Sequence, residues 1–358
     1  MTTITADEKA LVKKIEGAYN ALREALSTKI VGQEAVLEEL LIALFSGGHC
    51  LLVGVPGLAK TLMIRSTAEL LDLDFRRIQF TPDLMPSDIT GTEVIGEDPE
   101  TGERGFHFLD GPIFSNIILA DEINRSTPKT QAALMEAMEE AQVTVGGVRH
   151  VLAQPFFVLA TQNPIEQEGT YPLPTAQLDR FMFNVYVDYP DFEEERRIIK
   201  LTTTNYDADL KILLSRDEIN EAIALIRRLS VPEDIMKYAT HFARFTRTKE
   251  PGSPSFTKEW VKWGASPRAA QALIFGGKAR AMLSGRMTPN HADVRALAPA
   301  VLRHRIITSF HADAEGVTTD DIVDQLIQFI PAPDFEPMPE SKQKTFMEKV
   351  IAFFRKSD

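Results

Sequence analysis

Apolar residues at Leu11, Ile15, Tyr19, Leu22 and Leu26 recur at helical spacing, which predicts an amphipathic N-terminal helix that packs on a sheet or on a neighbour. A second helix is expected over roughly residues 34–45. Short apolar runs then alternate with helical patterns, and strands are predicted near 50–53, 76–80, 117–121, 156–161 and 182–187. Strands separated by helices need crossover connections, so this α/β alternation predicts a parallel sheet covered on both faces. Two segments interrupt it. Gly91 to Gly111 carries turn chemistry at Asp98-Pro99-Glu100-Thr101-Gly102-Glu103 between Val94-Ile95 and Phe106-His107-Phe108, and reads as a hairpin. Val143 to Leu152 reads as another, with Gly146-Gly147 at its tip. After Tyr189-Pro190-Asp191 the pattern turns helical, with runs near 192–203, 215–229, 232–247, 267–284, 290–304 and 317–330. Pro331, Pro333, Pro337 and Pro339 mark a stiff extended connector, followed by an apolar stripe of Phe346, Val350, Phe353 and Phe354. That stripe is either a terminal helix docked on its own chain or a handle for another protein. The expected division is an α/β core over 1–190, a small all-helical domain over 191–330, and the connector and C-terminal helix over 331–358.

Composition narrows the class. At 358 residues the chain is long enough for about two domains with cores of their own. Its single cysteine, Cys50, lies inside an apolar run, which excludes an internal disulfide and points to core packing. No basic segment followed by an apolar core opens the chain, and no apolar run approaches the ~20 residues of a bilayer span, so a cytoplasmic location and no membrane span are expected. The net charge of −12 argues against a general affinity for nucleic acid, although local basic patches remain open. The seven histidines show no close pairing of metal-ligand type with cysteines or carboxylates, and a strand position with alternating faces accounts for His107.

Candidate chemistry concentrates where strands end. Gly54-Val55-Pro56-Gly57-Leu58-Ala59-Lys60-Thr61 follows the apolar run Cys50-Leu51-Leu52-Val53 and precedes a helix, as a phosphate-binding loop does. Successive backbone N–H groups and the positive end of the following helix make a concave anion site. Lys60 would lie against the β- and γ-phosphates, and the Thr61 hydroxyl would ligate Mg²⁺. One position departs from the pattern: Ala59 stands where a glycine is usual, and its methyl group forbids some backbone conformations.

The run Ile117-Ile118-Leu119-Ala120 ends in Asp121-Glu122, as a buried parallel strand would if it delivered two carboxylates to the carboxyl edge of a sheet. Asp121 would hold Mg²⁺ indirectly, and Glu122 is placed to polarise an attacking water. A third apolar run, Phe156 to Thr161, ends in Gln162-Asn163-Pro164. Asn163 could orient that water, since its amide both donates and accepts; the alternative is a turn asparagine before proline. Arg180 falls at a short helix end and Arg268 opens a later helix. Each reads either as a phosphate-directed cation or as a surface ion-pair partner.

The ordered set Val31-Gly32-Gln33, the phosphate loop, Leu119 to Arg125, Ala160 to Pro164, Leu178-Asp179-Arg180-Phe181 and Ser266-Pro267-Arg268 resembles a AAA+ ATPase of the MoxR family over roughly residues 30–330. Most specific is the continuous stretch from Gln162 to Phe181. The family is similar at Ala59. The paired inserts resemble those of the helix-2-insert branch, which includes magnesium chelatase motors. The resemblance implies ATP and Mg²⁺ as cofactors, a nucleotide-binding set made of Gly32, Gln33, Gly54 to Thr61, Leu62 and Asp121, and a lid formed by the helical domain. It matches Asn163 to a first sensor residue, Arg180 to a finger that reaches a neighbouring subunit's nucleotide, and Arg268 to a second sensor in the lid. A ring, of six subunits by resemblance, follows from needing Arg180 in trans. The expected activity is ATP hydrolysis coupled to remodelling or maturation of a client protein; relatives work beside proteins with a von Willebrand factor A domain. Alternatives are a nucleic-acid motor, which the acidity of the chain disfavours, a metal-chelatase motor, and a nucleotide-gated scaffold, against which Glu122 speaks. GTP is disfavoured by the absence of an Asn-Lys-x-Asp element.

Overall fold

The computed structural model describes residues 5–55, 57–97, 104–165, 169–203 and 211–333. Pro56, the turn residues 98–103 and the C-terminal stripe at Phe346 to Phe354 lie outside the described residues. The chain forms two compact units that divide between Arg228 and Leu229.

The first unit begins with α1 (Ala6–Ser27), started by a reciprocal cap in which Thr5 Oγ1 accepts the Glu8 N–H and the Glu8 carboxylate accepts the Thr5 N–H. Its buried stripe is Val12, Ile15, Tyr19, Leu22 and Leu26; Val12 replaces the expected Leu11 by a shift of one position. Helix α2 (Glu34–Ser46) is buried over most of its length and ends at Gly47 in the left-handed region. Then come β1 (Cys50–Gly54), α3 (Lys60–Leu70), β2 (Phe75–Gln79), α4 (Pro86–Thr90), the hairpin β3 (Gly91–Glu97) and β4 (Arg104–Asp110), and β5 (Ile117–Asp121). A 3-10 turn (Ile123–Arg125) leads into α5 (Pro128–Glu140), the hairpin β6 (Gln142–Val145) and β7 (Val148–Val151), and β8 (Phe157–Gln162). The unit closes with α6 (Thr175–Leu178), β9 (Phe183–Val187), α7 (Phe192–Thr202) and α8 (Arg216–Arg228).

Five of these strands form one sheet in the order β2-β5-β8-β1-β9, and every pair in it is parallel. β1, β5 and β8 are apolar almost throughout because both their faces are covered. Edge strand β2 instead reads Phe-Arg-Arg-Ile-Gln, with Arg76, Arg77 and Gln79 exposed. Both expected hairpins form, and they meet where Phe108 stacks on His150 with ring centroids 3.9 Å apart.

Helices α7 and α8 belong to the first unit, not to the later helical domain in which the sequence pattern placed them. Amphipathic periodicity names a buried face but not its partner, and α8 buries Ile219, Ala222, Leu225 and Ile226 while packing against α2 and α1. The second unit contains α9 (Glu233–Phe245), α10 (Ser255–Trp260), β10 (Val261–Trp263), α11 (Pro267–Leu283), α12 (His291–Leu302), β11 (Ile307–Thr308), α13 (Phe310–Glu315) and α14 (Thr319–Phe329). It is helical apart from the short antiparallel pair β10–β11, which helical spacing in the flanking residues concealed. Within it the buried Asp293 accepts from Arg280 and Arg286, a pairing that compensates its desolvation.

His49 ties α5 to the sheet. Its Nδ1 accepts the Val158 N–H and its Nε2 faces the Met138 carbonyl, both at 3.1 Å, which fixes the neutral tautomer protonated on Nε2. Complete burial opposes protonation and pushes its pKa down to about 4 from 6.5. The unfolded chain therefore binds a proton that the native chain refuses. The stabilisation is complete above pH 6.5 and is lost as the pH falls toward 4, by on the order of 3 kcal/mol. Denaturant unfolding across this range should show His49→Gln with a flatter pH dependence than the wild type; parallel curves would refute the assignment.

Candidate nucleotide site

The carboxyl ends of β1, β5 and β8 lie side by side at one edge of the sheet, where open α/β folds bind ligands. There a cleft of about 410 Å³ is lined by the Gly57-to-Leu62 segment, Arg77, Asp121, Glu122, Thr161 and Asn163. That volume lies in the range of small-ligand sites.

The loop between β1 and α3 is shaped by its small residues. A Cβ on Gly54 would lie 2.6 Å from the Val187 carbonyl oxygen, so the loop leaves the sheet in close contact with β9. Gly57 has φ +89°, and Ala59, directly before α3, has φ 54° and ψ 19°. The departure from the loop pattern thus falls on a position that adopts the left-handed conformation in which alanine is strained. Lys60 donates to the Gly54 carbonyl at 2.5 Å. Partial burial lowers its pKa, an effect that the nearby charges of Asp121 and Glu122 oppose.

Glu122, directly after β5, also adopts the left-handed region, with φ 57° and ψ 48°. Thr161 on β8 donates its hydroxyl to Asp121 Oδ1 at 2.6 Å and accepts the Glu122 backbone N–H at 2.9 Å. Arg77 on β2 grips Asp121 Oδ2 through Nη2 at 2.6 Å and Nε at 3.1 Å. Glu122 Oε2 accepts from Gln79 Nε2 at 3.0 Å and from Arg125 Nη1 at 2.9 Å. Asn163 is buried at the cleft, and its Oδ1 accepts the Ile165 N–H at 3.1 Å, the turn geometry that its position before proline had left open.

Other expected site residues lie outside this cleft. Gln33 is buried, lines a separate cavity of about 300 Å³ beside α1, and lies 3.3 Å from the Asp188 carbonyl, to which its side chain donates. Gly32 has φ +77°, where a side chain is strained, and a Cβ there would lie 2.5 Å from the Glu194 carboxyl carbon, which would have to shift. Arg180 follows α6 and is held on α5, with Nη2 at 2.6 Å from Glu139 Oε2 and Nη1 donating to the Met135 carbonyl at 3.1 Å. Arg268 lies exposed in the first turn of α11, in the second unit, where Ser266 caps the helix. Sequence reading missed Arg77, Gln79, Arg125 and the role of Thr161. Arg77 and Gln79 fall in the strand expected near 76–80, and their spacing of two residues is the signal that they share a side.

Residues 49–183 match the family model of the ATPase family associated with various cellular activities (AAA), and residues 255–326 match that of the AAA lid domain. Chaperone MoxR1 of Mycobacterium tuberculosis is 40% identical over 312 residues, which cover 87% of this chain and 81% of that one. The chain belongs to the MoxR family of AAA+ ATPases. The uncharacterized protein YeaC of Bacillus subtilis is also 40% identical, over 311 residues covering 87% of this chain and 93% of that one. A solved structure from Cytophaga hutchinsonii, classed as an ATPase, superposes with a TM-score of 0.84 at 39% identity, covering 92% of this chain and 98% of that one. As a MoxR-family enzyme the chain hydrolyses ATP, and its fold is the parallel AAA sheet with a helical lid. Among the described residues no helix is long and apolar enough to cross a membrane.

Because Ala59 sits in the left-handed region, Ala59→Gly should raise unfolding stability by on the order of 1 kcal/mol while nucleotide affinity stays within about tenfold. A loss of stability would contradict the strain assigned to this MoxR loop.

Proposed function

We propose that the chain is a Mg²⁺-dependent MoxR-type motor in which hydrolysis at the cleft remodels or matures a protein client. What carries this reading is the meeting, in one cleft, of an anion-binding loop, Lys60, and two carboxylates with separate partners, Asp121 bonded to Thr161 and Arg77 and Glu122 to Gln79 and Arg125. Thr61 and Asp121 offer hard oxygen donors there. Among the described residues no group of three or more histidines, cysteines or carboxylates gathers to hold a metal. Few protein ligands suit Mg²⁺, which prefers to complete its shell with phosphate oxygens and water. When bound, the ion would neutralise charge on the phosphates.

The remaining chemistry belongs to the chain's own side chains. Backbone N–H groups of the Gly57-to-Thr61 segment and the Lys60 ammonium face phosphate charge. Glu122 is the base for water, held by Gln79 and Arg125 in the orientation seen, and Asn163 lies at the same edge to orient that water. A carboxylate in this place favours a hydrolysing motor over a binding-only scaffold. Arg180, held away from the cleft of its own chain on α5, acts in this reading on the nucleotide of the next subunit in a ring of six, and Arg268 reads the nucleotide from the lid. The name Chaperone MoxR1 on a 40%-identical relative supports a protein client, and a von Willebrand factor A domain is the class we favour. The net charge of −12 supports a protein over a nucleic acid.

Lys60→Ala should lose tight ATP binding, whereas Glu122→Gln should keep binding and lose turnover. The second variant then serves as a trap: a protein retained on it with ATP but not on Lys60→Ala identifies the client, and recovery of nucleic acid would move the chain to the motor class acting on that polymer. Equal loss of binding in both variants would sink the assignment of roles.

For the shared site, Arg180→Ala is expected to bind ATP normally and hydrolyse it about 10³-fold more slowly. Mixed with Glu122→Gln, each inactive alone, it should regain turnover, since an intact Glu122 then faces an intact Arg180 from the next chain. Full activity of Arg180→Ala alone, or no recovery in rings shown to be mixed, would refute action in trans.

A further inference from the structure

Arg77 has no role in the chemistry above, yet it makes two hydrogen bonds to the carboxylate assigned to the metal. It extends from edge strand β2, two residues before Gln79, and parallel pairing sets Gln79 beside Asp121 and Arg77 beside Leu119. Arg77, Gln79 and Asp121 therefore share one side of the sheet. Its guanidinium makes two hydrogen bonds to Asp121 Oδ2 and donates at 2.7 Å to Gln79 Oε1, while Gln79 Nε2 donates to Glu122. Thr161 occupies one site on Oδ1, so both oxygens of Asp121 accept protein donors, and Oδ2 accepts two. A divalent ion drawn to Asp121 meets a carboxylate whose charge is already largely offset.

We propose that Arg77 is the built-in counter-cation of Asp121: it competes with Mg²⁺ for that carboxylate and sets how strongly nucleotide binding depends on the metal. The proposal rests on the reading of Asp121 as the metal carboxylate. Its electrostatic logic has two sides. With Arg77 in place, Lys60 and Arg77 together balance Asp121 and Glu122, and a triphosphate without metal enters a cleft that is not net negative. Without Arg77, the same triphosphate faces an unbalanced carboxylate, whereas Mg²⁺ finds one with its full charge. Removal should therefore weaken metal-free binding and strengthen the gain from metal, where a purely structural residue would change both equally. The pair is half-exposed on the arginine side, with 49% of the Arg77 side chain and 18% of Asp121 accessible, which keeps the effect moderate. Through Gln79, release of Asp121 by Arg77 also loosens one of the two bonds on Glu122.

The test is calorimetric binding of a non-hydrolysable ATP analogue at saturating Mg²⁺ and in EDTA, on the full chain. The ratio of the two affinities is expected to rise about tenfold in Arg77→Ala and equally in Arg77→Gln, which keeps a hydrogen-bonding side chain but not the charge. Arg77→Lys should stay near the wild-type ratio. An unchanged or lowered ratio in Arg77→Ala, or a rise in Arg77→Ala that Arg77→Gln does not share, would overturn the proposal. Asp121→Asn separates the two layers: its ratio should fall below the wild-type ratio, and a full ratio there would refute Asp121 as the metal carboxylate whatever Arg77 does.

Discussion

The Thr161 hydroxyl donates to the Asp121 carboxylate and accepts the backbone N–H of Glu122, so one side chain at the end of β8 holds the first acid by its side chain and the second by its backbone. It can do so only because β5 and β8 run parallel with Ala120 opposite Ala160, which brings the last residues of both strands to the same edge. β1 pairs on the other side of β8, with Leu52 opposite Thr161, and carries the phosphate loop to that edge as well. An antiparallel neighbour would have sent one of these ends to the far side of the molecule. The parallel register is therefore the constraint on which the cleft depends, and the crossover helices that it demands cover the two faces.

Conformational strain falls beside the carboxyl ends of two strands of this sheet, β1 and β5. Ala59 and Glu122 are both non-glycine residues in the left-handed region, one where the loop enters α3 and the other where β5 turns into its 3-10 helix. Such geometry persists only where the surroundings over-determine it. At Glu122 the surroundings are visible: Thr161 holds its N–H, while Gln79 and Arg125 hold its carboxylate. The two adjacent acids have separate partners, Asp121 with Arg77 and Thr161, Glu122 with Gln79 and Arg125.

The charges at the cleft also form a set. Two carboxylates and two cations, Lys60 and Arg77, share it, and Arg125 reaches in to Glu122. A site intended for polyphosphate would be self-defeating with uncompensated acids, and an edge strand with alternating polar residues supplies the compensation without disturbing the apolar strands beside it. Arg180 is paired elsewhere, with Glu139 and the Met135 carbonyl on α5.

Periodicity and residue order made the five sheet strands, both hairpins and the phosphate loop legible, since strands buried on both faces must be apolar and loops at their ends need small or polar residues. The pairing of Lys60 with Asp121 and Glu122 in one site was readable because each motif sits directly at a strand end. What periodicity could not supply was partnership. An amphipathic stripe does not name the surface that covers it, so α8 was grouped with the later helices although it packs on α1 and α2. Nor do alternating polar residues on a strand say whether they face solvent or a ligand. Arg77 acquired its place at the cleft, and Gln79 its bond to Glu122, only because β2 pairs with β5 in a register that sets Gln79 opposite Asp121, and register is decided by the packing of the whole sheet.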